Sequence, residues 1–249
     1  MVWLALAFLL TALLYSMAGF GGGSTYNALL VLNGTDYQLL PAIALSCNII
    51  VVLSGVVQFL RAERMKLKDV APLCLLSAPA AWLGGRIPIA EELFIGLLGA
   101  SLLAAGVFMF IDAPEPKTID AEKRPMILPV SIGGGIGFLS GLVGIGGGIF
   151  LAPFLHVIRW GRAHEIAGAA SFFILVNSLT GLAGQLQKLG AATKLDALAA
   201  YWPLPISVLI GGAVGGFLGA RRLPAGVVKK ITGVLILFVA IRLLATLFF

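Results

Sequence analysis

Charge is what this sequence has least of. Asp, Glu, Lys and Arg make up only 11% of its 249 residues, where a soluble domain carries roughly a quarter. No stretch is polar enough for a water-soluble domain, which excludes a soluble enzyme. The net charge of +6 falls in short breaks between apolar runs, a placement that sets membrane topology, so no nucleic acid partner is expected. Cysteine and histidine are scarce too: Cys47, Cys74, His156 and His164 are all there is. Both cysteines sit in apolar runs and read as small packing residues. No His/Cys/Asp grouping has metal-ligand spacing, and no Ser/His/Asp arrangement is visible. No metal, no cofactor and no enzymatic activity are therefore expected. The opening "MVWLALAFLL" lacks Lys and Arg, unlike the basic start of a secretory signal, and is read as mature sequence.

What the sequence does have is hydrocarbon. Hydrophobic residues make up 59% of it, and the mean hydropathy is +1.04. Apolar segments run over about 2–32, 39–60, 70–85, 92–111, 126–158, 166–186, 197–219 and 231–249. A spanning helix needs about 20 such residues, so the chain is predicted to be an all-α polytopic membrane protein in the lipid bilayer. The longest break, "DAPEPKTIDAEKRP" at 112–125, is the natural linker. It separates a first membrane repeat, 1–111, from a second, 126–249.

The halves echo each other. "GFGGG" at 19–23 returns as "GIGGG" at 144–148, a shift of 125 that also carries Ser46 onto Ser171. "WLGGRIP" at 82–88 resembles "FLGARRLP" at 217–224. Segment 126–158 has 33 residues and would make a helix of about 50 Å, too long for a hydrocarbon core of about 30 Å. A break at the glycines turns it into a hairpin that enters and returns. Charge chooses between the two topologies. A single crossing per glycine segment makes the halves parallel and splits the 17 Lys and Arg residues ten to seven. A re-entrant hairpin leaves three transmembrane helices per half, inverts the halves, and splits them thirteen to four, with Arg86, Lys188, Lys194 and Arg242 outside. Lys and Arg excess marks the cytoplasmic side, so two inverted repeats with both termini outside are expected.

The spans offer backbone and neutral polar groups rather than charges. A helix that starts after the glycines presents free N–H groups and about half a positive charge, which is an anion site. Glycine permits close approach and positive φ. Two such tips meeting at the midplane would supply about one unit of positive charge without burying Lys or Arg. The candidate binding residues are Gly21, Gly22, Gly23, Ser24, Thr25 and Asn27 at the first tip, and Gly146, Gly147 and Gly148 at the second. Ser46 and Asn48 join them from the span after the first tip, and Ser171 and Asn177 from its counterpart. Ser46 and Asn48, two residues apart, cannot share a helix face. "STYN" follows the first tip where "IFLAP" follows the second, so the first tip is expected to supply more polar contacts. The Gly133, Gly137, Gly141 and Gly211, Gly215, Gly219 ladders read instead as helix-packing faces.

The duplicated tips, with Pro153 in "GIGGGIFLAPFL" and the stretch "ASFFILVNSLTGL" at 170–182, resemble the TauE/SafE sulfite exporter family of membrane permeases. The likeness covers nearly the whole chain, but Ala28 stands where a first-half proline would match Pro153. The resemblance implies transport of sulfite, thiosulfate or an organosulfonate across a bacterial inner membrane. A secondary transporter working by alternating access is the leading expectation. An anion channel on the same scaffold is the alternative, and association into a homodimer is left open.

Overall fold

The computed structural model describes residues 1–17, 20–61, 65, 67–108, 110, 127–191, 194–219 and 225–245. Gly19 of the first motif, the linker 112–125 and the Arg221–Arg222 pair lie outside the described residues. The described chain is helical throughout: α1 (Val2–Met17), α2 (Gly23–Leu32), α3 (Leu40–Arg61), α4 (Leu67–Val70), α5 (Cys74–Arg86), α6 (Glu91–Phe108), α7 (Ile127–Val143), α8 (Gly148–Val157), α9 (Ala163–Ala191), α10 (Pro203–Gly219) and α11 (Ala225–Ala245). Most are apolar on all sides, as helices in hydrocarbon are. Large side chains such as Leu75, Val107, Leu209 and Ile241 remain exposed on the outer surface, where lipid tails solvate them.

Among the described residues, three helices are long and apolar enough to cross a membrane, α3, α6 and the His164–Gly190 part of α9. A fourth span forms if the 3-10 run Leu195–Tyr201 and α10, bent by 50°, count as one. The expected span at 70–85 is not one straight helix. A 3-10 turn, Ala71–Leu73, joins α4 to α5, because Pro72 has no N–H to continue the ladder.

Both glycine segments break where the sequence predicts, and the chain reverses there. Gly22 lies against the Thr11 methyl. One turn further on, the Tyr26 ring stacks on Phe8 with centroids 4.5 Å apart. Contacts that move forward in α2 as they move back in α1 mean antiparallel arms. In the second segment Gly147 meets Ile136, the same pair displaced by 125 residues.

Glycines also record how the other helices run. A Cβ on Gly133, Gly137 or Gly141 would strike the backbone of Leu73, Ser77 or Ala81 respectively. The register rises on both helices, so α5 and α7 are parallel. Gly211 on Leu9 and Gly215 on Leu13 make α1 and α10 parallel in the same way. Gly181 on Leu45 and Gly55 near Ser171 make α3 and α9 antiparallel, and Gly99 on Leu244 with Gly106 on Leu237 do so for α6 and α11. Gly133, Gly137, Gly141, Gly211 and Gly215 lie on packing faces, as expected: they bring backbones together where lipid supplies no hydrophobic drive. Cys47 and Cys74 are free and buried, which fits packing.

Candidate functional site

The two glycine tips close around one side chain. Asn48, fully buried on α3, has its amide against both. A Cβ on Gly21 would overlap Asn48 Oδ1, and one on Gly23 would overlap Nδ2. From the other side, a Cβ on Gly146 would come within 2.8 Å of the same Nδ2. That nitrogen donates to the Ile145 carbonyl at 3.2 Å, while Oδ1 has no partner. Only glycine lets both tips approach the amide this closely.

The backbone at each tip is left-handed. Gly22 (φ 89°) and Gly147 (φ 80°) precede the first residues of α2 and α8 with no side-chain cap. Gly144 and Gly146 also have positive φ. The first N–H groups of each helix have no acceptor within their own helix. No Lys or Arg whose burial is described is buried, and none is found against the tips, so the positive potential here comes from backbone dipoles.

α9 supplies the rest of the wall. Ile174 packs on Gly146 and Gly148, and Ser178 Oγ lies 3.1 Å from where a Gly146 Cβ would be. Asn177 shares that helical stripe, three residues on from Ile174. It is fully buried, yet both its amide atoms and Ser178 Oγ lack a protein partner. Buried amides are rarely left so. Asn48 Oδ1, the Asn177 amide and Ser178 Oγ, on two facing helices, are thus unpartnered polar groups near two uncapped helix N-termini.

Other expected residues have different duties. Thr25 bonds the Tyr15 hydroxyl at 2.7 Å, and Ser24 is buried beside it. Asn27 Nδ2 donates to the Val143 and Gly144 carbonyls at 2.8 and 3.1 Å. Within the polar "STYN" run, Thr25 closes the first hairpin and Asn27 ties it to the second, while the Tyr26 hydroxyl, buried beside Gly22, has no partner. Ser46 donates to the Ala42 carbonyl of its own helix at 2.8 Å. Ser171 does the same to Ala167 at 2.9 Å and lies about two turns from Ser178, some 10 Å along the helix. Structure alone reveals the duty of Gln185, whose Nε2 donates to the Gly141 carbonyl at 2.7 Å. A glutamine within an apolar span was the available signal.

The chain matches the family model described as "Sulfite exporter TauE/SafE" over residues 4–243. It is 34% identical to "Probable membrane transporter protein y4hK" of Sinorhizobium fredii (strain NBRC 101917 / NGR234), with 97% of each chain covered. It is 21% identical to "Probable membrane transporter protein YunE" of Bacillus subtilis (strain 168), covering 92% of each. No solved structure matches it.

Proposed function

We infer that this chain, which belongs to the TauE/SafE sulfite exporter family of membrane transporters, is a secondary permease for a small sulfur oxyanion or organosulfonate. The observation that carries the reading is the Asn48 amide enclosed by Gly21, Gly23 and Gly146 between two helix N-termini. Each N-terminus contributes about half a positive charge, so a monoanion is matched without a buried cation. Asn177 Nδ2 and the Ser178 hydroxyl are unpaired donors for its oxygens, and Asn48 Oδ1 is an unpaired acceptor for the hydroxyl of a protonated oxyanion.

The halves 1–111 and 126–249 are read as inverted repeats, each a re-entrant hairpin followed by three spans. The antiparallel registers of α3 with α9 and α6 with α11 support this, because parallel halves would run each of those pairs the same way. Lys194 Nζ bonds Asp36 at 2.6 Å, which joins loops that the inverted topology puts on one face and the parallel topology on opposite faces. With Lys and Arg excess inside, that shared face is the outer one and both termini lie outside a bacterial inner membrane. Rocking of one repeat against the other then alternates access to the tips.

A thermal-shift panel on the purified protein tests the substrate class. Sulfite, thiosulfate or a small sulfonate should raise Tm above matched chloride, as ligands that bind only the folded state do. No shift with any of them would contradict the reading.

A further inference from the structure

A cavity of about 410 Å³ opens beside the tips, on the face that carries the Asp36–Lys194 pair, and is lined by Tyr37, Gln38, Pro41, Arg86, Leu142 and Lys188 among others. It lies outside the tip site, not between the tips. Its size suits a small ligand, and no carboxylate is in its lining. Arg86 ends α5, and its guanidinium is held 4.5 Å over the Trp82 ring, a cation–π contact that fixes its position. Lys188 approaches from the last turn of α9. Nearby Asp36 is ion-paired with Lys194. Glu91 and Glu92 begin α6, where the helix dipole takes up their charge. Pro41 lines the cavity, and its Cα lies 2.5 Å from where a Gly144 Cβ would be, so the cavity wall abuts the second glycine segment.

We propose that this vestibule is a second anion site, where Arg86 and Lys188 dock a sulfonate or other oxyanion with help from the Tyr37 hydroxyl and the Gln38 amide. A concave surface lined by cations concentrates anions and speeds their capture. As an antechamber it rests on the permease reading. Its anion binding does not, and the test separates the two.

The probe is naphthalene-1,5-disulfonate, a rigid dianion too bulky for the tips. It should raise the Tm of the purified wild type, and salt should weaken the effect. Arg86→Gln/Lys188→Gln should abolish the shift, and the charge-conserving Arg86→Lys/Lys188→Arg should keep it. In proteoliposomes with the vestibule facing the bath, the double Gln variant should raise KM for a transported anion about tenfold at unchanged kcat. An equal Tm shift in the Gln variant, or none in wild type, overturns the proposal. A shift confined to proteins with the cations, in a wild type that moves no sulfur anion, upholds the vestibule and sinks the permease reading.

Discussion

From Gly141 to Ile145, every backbone carbonyl at the second tip accepts a bond from a carboxamide of another helix. Gln185 takes Gly141 and Leu142, Asn27 takes Val143 and Gly144, and Asn48 takes Ile145. These include the orphan carbonyls that end α7. The first hairpin is closed by its own arms. Phe20 N–H returns to the Tyr15 carbonyl at 2.9 Å, as Ile145 N–H does to the Ser140 carbonyl at 3.3 Å in the second hairpin, and Tyr15 meets Thr25. At a shift of 125, Asn27 corresponds to Ala152 and Asn48 to Phe173. The two glycine tips are thus not held by equivalent side chains. The first half gives Asn27 and Asn48, the second adds its own Gln185, and the carbonyls of the second tip receive all three.

Packing is where that contrast breaks most severely. Gly141→Val would drive its side chain into the Ala81 backbone, and neither backbone can move without parting α5 from α7. The variant should yield no monodisperse protein. Gly135→Val, where nothing lies within 4 Å, should purify normally. Similar yields would remove the α5–α7 seam as a determinant of folding.

Substitution within the tips comes next. Valine is strained at positive φ, so Gly147→Val (φ 80°) and Gly22→Val (φ 89°) should each reduce transport to background. Inserted protein should still be recovered on size exclusion. If either variant transports normally, its glycine serves packing alone.

Asn27→Ala sharpens the asymmetry. It unpairs two buried carbonyls, and such groups cost about 1–3 kcal/mol, so a Tm drop of several degrees and weaker transport are expected. Thr25→Val removes one hydroxyl bond within a hairpin and should have the smaller effect on both readouts. The reverse order would make the first tip the anchored one.

The Asp36–Lys194 pair should have the smallest effect. Burial raises the Asp36 carboxyl pKa, but the Lys194 hydrogen bond, the Gln38 N–H and the Lys194 charge together bring it below its usual value. A lowered folded pKa contributes stability above the unfolded value of about 4. That contribution fades as pH falls through the folded pKa. Both side chains are more than a third exposed (37% and 39%), so Asp36→Asn should change stability by under about 1 kcal/mol at neutral pH. The change should vanish in acid or high salt.

Much of this was legible because it is local. The 33-residue length of 126–158 and its glycines foretold a break, and four-residue glycine spacing foretold packing faces. The partners of those faces were not legible: α1 meets α10 across about 200 residues of chain, and periodicity carries no such information. Asn27 reads as a ligand from sequence because an amide in a polar run after the tip looks available. Its bond to Val143 depends on how two distant hairpins dock. The short α5 turns on Pro72, a single residue inside an apolar run.

The central claim is that both tips and Asn48 form one anion site. Uptake of radiolabelled thiosulfate into proteoliposomes, wild type beside Asn48→Leu, tests it directly. The leucine keeps the bulk and removes the amide. Wild type should show saturable, counterflow-stimulated uptake and the variant background uptake, with both proteins equally monodisperse. Uptake by Asn48→Leu at the wild-type rate would contradict it.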